Sequence, residues 1–133
     1  MRSFNLKVVT PDGLVFDSEV ESLLVRTDDG DVEFLAGHID YMASLGTGRA
    51  RIKVNGQDKF ASVSGGFVTV KGGEVKLVAI TFEFKENIDL ARAKIALDEA
   101  KAALSSAKDD KALKLADAKL KRALNRIGVA EGR

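Results

Sequence analysis

The sequence VKLVAITFEFKENIDLARAKIALDEAKAALSSA, residues 75–107, contains a change in hydrophobic period. Its first part, Val75 to Phe84, is an apolar run of a length suited to a strand. From Asn87 onward, leucine and alanine recur at intervals of three and four residues, which places them along one side of a helix. These residues are Leu90, Ala93, Leu97, Ala100, Leu104 and Ala107. The stretch therefore predicts a β domain over residues 1–84 followed by helices over residues 85–133.

The helical part is predicted to form an antiparallel two-helix hairpin. Asp89 is suited to cap the first helix, and residues 105–110 interrupt the pattern. A second stripe is expected to end at Gly128 and consists of Leu113, Ala116, Leu120, Ala123 and Ile127. A seam of leucine and alanine buries little apolar area at roughly 25 cal/mol per Å², so the hairpin should be marginally stable alone. It can either detach and dock elsewhere or stay packed on the β domain, and the pattern leaves both open.

Residues 1–84 read as short strands separated by turns. Asn55-Gly56 is a strong hairpin signal, because both central residues of a type I′ turn need positive φ. Pro11-Asp12-Gly13 indicates another tight turn, and the glycine pairs at 65–66 and 72–73 are also interpreted as turns. Many short strands with regular turns predict a β-sandwich or flattened barrel.

Composition divides the chain at the same place. All eight aromatic residues lie before residue 85. Lys and Arg against Asp and Glu give 9 − 12 = −3 for residues 1–84 and 12 − 8 = +4 for residues 85–133. A basic tail indicates an acidic partner, nucleic acid or anionic lipid, and composition alone does not choose among them.

Several classes of function are disfavoured by what the sequence lacks. Without cysteine there is no disulfide framework and no thiolate nucleophile. No apolar run approaches the roughly 20 residues that span a bilayer, so we expect no direct membrane insertion. His38, near Asp40 and Ser44, is interpreted as structural rather than catalytic. The acidic cluster of Asp28, Asp29, Asp31 and Glu33 is interpreted as a solvated turn, and no catalytic residue or metal ligand is predicted.

The tail carries a more specific pattern. Asp89 and Arg92 begin the first helix, and Arg122 and Arg126 share a face of the second. In an antiparallel hairpin these four residues lie at the same end. Two guanidinium groups beside a helix start with free backbone N–H groups can hold a phosphate chain. From the residues alone, the favoured interpretation is that Asp89 caps the helix and that the arginines form a solvated basic face.

Taken together, these segments resemble the epsilon subunit of F-type ATP synthases over nearly the full length of the chain. The resemblance rests on Thr10-Pro11-Asp12-Gly13, Gly37-His38, Val63-Ser64-Gly65-Gly66-Phe67-Val68 and Ile88-Asp89-Leu90-Ala91-Arg92-Ala93. It implies a flattened ten-stranded β-sandwich followed by the two-helix hairpin. It also implies a non-catalytic central-stalk subunit that couples the rotor to the catalytic head.

The resemblance further implies regulation by the hairpin. Its partners would be the gamma subunit, the c-ring, and the alpha and beta subunits of the head, at the cytoplasmic face of the bacterial cell membrane. An extended hairpin would inhibit ATP hydrolysis. The cations expected to meet acidic segments of the beta subunits are Lys108, Lys111, Lys114, Lys119, Lys121, Arg122 and Arg126.

No cofactor is required on this reading, but ATP is expected as a regulatory ligand of the folded hairpin. The sequence from Ile88 to Ala93 resembles the nucleotide motif of some bacterial members. The residues predicted to bind the nucleotide are Glu83, Ile88, Asp89, Arg92, Ala93, Arg122 and Arg126. Glu99 stands where a basic residue is expected.

The alternative function is a nucleic-acid or generic adaptor-binding module with a basic helical tail. Against nucleic acid, the tail interleaves cations with acids and has no aromatic residue on which a base could stack.

Overall fold

The computed structural model describes residues 2–132 and divides the chain into two compact units between Phe84 and Lys85. The strands of the first unit are β1 (Phe4–Thr10), β2 (Gly13–Val20), β3 (Ser22–Thr27), β4 (Gly30–Leu35), β5 (Tyr41–Ser44), β6 (Gly48–Val54), β7 (Gln57–Lys71) and β8 (Glu74–Phe84). The second unit contains a 3₁₀ turn (Lys85–Asn87) and the helices α1 (Leu90–Ser106) and α2 (Asp110–Ala130). The unit boundary therefore lies where the hydrophobic period changes.

The first unit is a β-sandwich whose two layers share the long strands β7 and β8. The hydrogen-bonded order is β2-β1-β8-β7-β6-β3-β4, with β5 also pairing with β7. Residues 57–63 of β7 pair with β6, whereas residues 67–70 pair with β5. The family resemblance implied ten strands, and residues 2–132 form eight. Counting each half of the two shared strands separately accounts for the difference.

Alternate residues of the strands form the core between the layers. Leu6 and Val8 of β1 and Val75 and Leu77 of β8 point inward, as the two-residue period of a strand requires. The largest fully buried side chains are Phe34, Leu6, Leu23, Ile52 and Leu77. Large apolar side chains therefore hold this unit together.

The glycine pair at 65–66 is not a turn, contrary to the sequence prediction. Both residues lie inside β7, with φ of +70° and +100°. A β-carbon on Gly66 would lie 1.9 Å from the carbonyl oxygen of Val78, so only glycine permits this approach of the two shared strands. The other predicted turns are present: Asn55 and Gly56 have φ of 52° and 76° between β6 and β7, and Gly72-Gly73 joins β7 to β8.

The second unit is a hairpin with capped helices. The carboxylate of Asp89 accepts a hydrogen bond from the Arg92 N–H (3.1 Å), and that of Asp109 accepts one from the Ala112 N–H (2.7 Å). The capping role predicted for Asp89 is thus confirmed. The first helix ends at Ser106 and the second starts at Asp110, so the link has only three residues.

The buried alanines of the two helices are placed symmetrically about Lys108. The buried residues Ala100 and Ala116 each lie eight positions from Lys108, and Ala93 and Ala123 each lie fifteen. At the open end, the Lys85 Nζ lies 3.4 Å from where a β-carbon of Gly132 would stand. These observations make the hairpin antiparallel, as the stripe spacing predicted.

The predicted end of the second helix is wrong by two residues. The helix continues through Gly128 to Ala130, because Ile127 and Val129 on either side of the glycine are buried. Gly132, with φ of +78°, takes the left-handed conformation after the helix. No helix within residues 2–132 is long and apolar enough to cross a bilayer.

Candidate functional sites

The predicted nucleotide residues fall in both units. Glu83 is the penultimate residue of β8 in the first unit. Ile88 and Asp89 precede α1, and Arg92 and Ala93 lie in its first turn. Arg122 and Arg126 lie one turn apart on α2. Nucleotide binding by these residues stays a prediction.

Within the hairpin, the antiparallel register brings the Arg92 end of α1 to the arginine end of α2. Arg92 lies sixteen residues before Lys108, and position 124, between Arg122 and Arg126, lies sixteen residues after it. Arg92 is exposed, and the two α2 arginines are half-buried. The hairpin thus places three arginines toward its open end, and guanidinium groups are side chains suited to bidentate contacts with phosphate.

The start of α1 is less open to an anion than the sequence suggested. The Asp89 carboxylate already accepts the Arg92 N–H, and the Ala93 N–H donates to the Asp89 carbonyl oxygen at 2.9 Å. A phosphate there would have to displace a carboxylate of like charge. Glu99, exposed and two helical turns beyond Arg92 on the same face, adds a second negative charge. The arginine side chains, not the helix start, are therefore the phosphate-binding candidates.

The predicted inhibitory cations lie mainly on α2. Lys111, Lys114, Lys119 and Lys121 are exposed, whereas Lys108 lies in the link rather than on the helix. The Lys121 Nζ lies 3.0 Å from the Asp117 carboxylate, one turn earlier. An exposed pair of this kind is weak and leaves the lysine able to exchange partners.

His38 is part of an aromatic cluster in the first unit. Its ring packs edge-on to Phe34 at 4.9 Å between centroids and lies 5.9 Å from Tyr41. Its Nδ1 lies 2.7 Å from the Ile39 carbonyl oxygen. These contacts give the ring a packing role, in agreement with the structural interpretation.

The predicted acidic turn joins β3 to β4. Asp28 and Asp29 form its tip, and the Arg26 Nε donates to the Asp31 carboxylate at 2.6 Å. That hydrogen bond holds the pKa of Asp31 below its ordinary value. Glu33 likewise accepts from the Arg51 guanidinium at 2.5 Å. Two of the four acidic residues are therefore paired with arginine. The other two lie in the turn itself, in agreement with the interpretation of the cluster as a turn.

One apolar surface of the first unit is not indicated by the sequence pattern. On the outer side of the sheet, four apolar residues lie side by side on neighbouring strands. Val9 of β1 pairs with Leu14 of β2 and with Val78 of β8, and Val78 pairs with Phe67 of β7. Leu14 is 61% exposed and Phe67 42%, and both valines are half-buried. We call these four residues the outer apolar patch. In the sequence, this patch could have been found from pairs of adjacent apolar residues, such as Val8-Val9 and Leu77-Val78. Such a pair puts one apolar side chain on each face of a strand.

Comparison with known families identifies both units. Residues 3–85 match the beta-sandwich domain of the ATP synthase delta/epsilon chain, and residues 86–131 match the long alpha-helix domain of the same chain. The ATP synthase epsilon chain of Bacillus subtilis is 42% identical over 130 residues, covering 98% of each chain. That of Bacillus velezensis is 40% identical, again over 98% of both chains.

Two solved structures share the fold. A chain in the Euglena gracilis mitochondrial ATP synthase (OSCP/F1/c-ring) superposes with a TM-score of 0.79 and 25% identity, over 92% of this chain and 78% of that one. A chain of the Tetrahymena thermophila mitochondrial ATP synthase central stalk and c-ring gives 0.71 over 97% of both, and at 10% identity it bears on the fold alone. With two family domains and near-complete coverage by relatives, the chain belongs to the ATP synthase delta/epsilon family, as a bacterial-type epsilon chain and thus a non-catalytic subunit.

Proposed function

We propose that the chain couples and regulates an ion-translocating F-type ATP synthase, with separate tasks for its two units. The first unit docks on the gamma subunit and c-ring and joins the rotor to the catalytic head. The hairpin inhibits ATP hydrolysis by extending into the head, and ATP stabilises the folded hairpin. The observation that carries the proposal is the division into a sheet unit with a large-side-chain core and a separate hairpin with an alanine seam.

Docking of the first unit is supported by the outer apolar patch. Its four residues lie side by side across four strands, which makes a surface for a flat apolar partner. Other parts of the sheet surface carry paired charges such as Arg26 with Asp31, which suit solvent, and single exposed apolar side chains such as Met42. The complex would hold the chain at the cytoplasmic face of the cell membrane as a peripheral component.

Release of the hairpin is supported by its small buried side chains. Its buried residues are Ala93, Ala100, Ala116, Ala123, Ile127 and Val129, of which four are alanine. Because each alanine removes little apolar area from water, separating the helices costs less than separating two leucine-rich helices. A partner that offers new contacts can therefore offset the free energy lost when the two helices separate.

Inhibition is supported by the charge of α2. Its exposed lysines and its two arginines present positive charge to a partner, and acidic segments of the beta subunits are the proposed contact. A ligand that binds only the folded hairpin opposes extension of the hairpin into the head. At a hundredfold excess over Kd it stabilises the folded form by about 2.7 kcal/mol, which is enough to reverse a preference of that size.

The inhibitory role is tested by ATP hydrolysis of the catalytic head assembled with the intact chain or with a chain truncated after Glu86. We expect faster hydrolysis with the truncated chain, because the cationic α2 is gone. The control is that both forms co-purify with the head, since the first unit and its outer apolar patch are retained. Equal hydrolysis rates in the two complexes would remove the inhibitory role and leave the coupling role standing.

ATP binding is tested by titrating the full-length isolated chain with ATP. Arg92→Ala and Arg126→Ala should each raise Kd about tenfold or more, because a hydrogen bond to a charged group contributes roughly 1.5–3 kcal/mol. Lys114→Ala is the matched control: it removes a cation near the link, at the opposite end of the hairpin, and should leave Kd within about twofold. No saturable binding at millimolar ATP, or equal losses in all three variants, would end this part of the proposal.

A further inference from the structure

Gly128 occupies a position in α2 that does not require glycine. Its φ lies outside the left-handed region, and, apart from its chain neighbours and the nearby backbone of its own helix, no heavy atom of residues 2–132 lies within 4 Å of the place a β-carbon would take. Its neighbours Ile127 and Val129 are buried. Neither packing nor backbone geometry therefore explains the glycine, and its remaining effect is on the stability of the helix.

Glycine weakens the last turn of α2. A glycine inside a helix loses more conformational freedom on folding than alanine does. The turn is closed by two hydrogen bonds, from the Glu131 N–H to the Ile127 carbonyl oxygen (2.9 Å) and from the Gly132 N–H to the Val129 carbonyl oxygen (3.1 Å). Both are lost if residues 127–130 leave the helical conformation. The turn thus depends on the burial of its two apolar side chains.

The location of this turn connects it to the rest of the hairpin. It follows Arg126 directly and lies at the open end, where Lys85 approaches Gly132. Opening the turn would loosen α2 beside Arg122 and Arg126, while an anion held by those arginines would oppose the opening. The position of the glycine therefore couples the end of α2 to the candidate phosphate site.

We propose that residues 127–130 are the release point of the hairpin and that Gly128 sets how readily they open. The proposal rests on the proposed function, in which the hairpin leaves its folded form. Release begins with melting of this last turn and continues toward the link as the alanine seam separates. Replacing Gly128 by alanine then slows release without altering any side-chain contact.

Hydrogen exchange of the full-length isolated chain tests the release point. Gly128→Ala should slow exchange of the amides of residues 127–132 about twofold to fivefold and leave the amides of β1 and β6 unchanged. Gly132→Ala, which forces alanine into a φ of +78°, should accelerate exchange at the same amides. Unchanged exchange at residues 127–132 in Gly128→Ala would overturn the proposal, as would equal slowing along the whole of α2, because the opening would then not be local.

ATP hydrolysis separates this inference from the proposed function. Three assembled heads are compared, carrying the unaltered chain, Gly128→Ala, or the chain truncated after Glu86. We expect the Gly128→Ala complex to hydrolyse ATP at a rate between the other two. If truncation has no effect, the proposed function fails while hydrogen exchange still decides the release point. If truncation activates hydrolysis and Gly128→Ala matches the unaltered chain, the regulatory role of the release point is wrong.

Discussion

The two units of this chain bury different kinds of side chain. The sheet unit buries large ones, including Phe34, Leu23 and Ile52, between two layers of strands. The hairpin buries mainly alanine, with Ile127 and Val129 as its larger members near the open end of α2. A large side chain removes more apolar surface from water and leaves a larger cavity when truncated. The sheet unit is therefore suited to a permanent scaffold, and the hairpin to a conformation that can be exchanged.

The largest effect is expected in the core of the sheet unit. Phe34→Ala should lower the free energy of unfolding of this unit by about 3–5 kcal/mol, because the ring is fully buried against its neighbours. Denaturant unfolding of the full chain measures it. The adjacent Leu35→Ala is the matched control, since Leu35 is exposed and should change stability by no more than about 0.5 kcal/mol. Similar losses in the two variants would contradict the difference between core and surface on β4.

An intermediate effect is expected from enlarging the alanine seam. Ala100→Leu should destabilise the hairpin by about 1–3 kcal/mol, because Ala100 is buried and a larger side chain there must displace its neighbours. Hydrogen exchange within α1 and α2 reports it, and the amides of the sheet unit should be unaffected. Ala102→Leu, at an exposed position of α1, is the control. A more stable Ala100→Leu hairpin would mean that the seam tolerates larger residues and that its alanines do not limit stability.

The smallest effect is expected at the turn between β3 and β4. Asp31→Asn should cost less than about 1 kcal/mol, because the Arg26–Asp31 pair is half exposed and screened by solvent. The folded state lowers the pKa of Asp31, so the pair stabilises the sheet unit above the ordinary pKa of an aspartate. That stability is lost as the pH falls through the lowered value. Unfolding from neutral pH down to pH values near 3 should show a smaller loss of stability in Asp31→Asn than in the unaltered chain; identical pH profiles would refute it.

Some strands of the sheet unit were not identifiable from the sequence. Apolar residues alternate or form runs around Leu6, Leu23, Ile52 and Leu77, which is the local signal of a strand. That signal is weak in β4, which buries only Phe34 among several exposed residues, and in β5, which has four residues. β4 pairs with the preceding strand β3 across the turn at Asp28-Asp29, whereas β5 pairs with the distant end of β7. In β4 a single buried side chain gives no clear period, and in β5 long-range hydrogen bonds decide the conformation.

The candidate nucleotide site was predictable only in part. The capping role of Asp89 and the meeting of Arg92 with the α2 arginines at one end of the hairpin follow from helix spacing and a short link. The predicted cap places the Asp89 carboxylate on the Arg92 N–H, so the helix start is unsuitable for phosphate. The half-burial of Arg122 and Arg126 was not predictable, because it depends on the packing around α2. The outer apolar patch was also missed, because it exists only once strands that are distant in sequence are in register.

The sequence by itself determined the two-part organisation, the helix periods, the Asn55-Gly56 hairpin and the charge contrast between the units, because each depends on neighbours within a few residues. Only the tertiary structure decided that Gly66 marks a close approach to Val78 rather than a turn, and that α2 continues through Gly128. In the first case the constraint is a carbonyl oxygen on another strand, and in the second it is the burial of Ile127 and Val129. Steric exclusion and burial act between residues that are distant in sequence, so local propensity does not contain them.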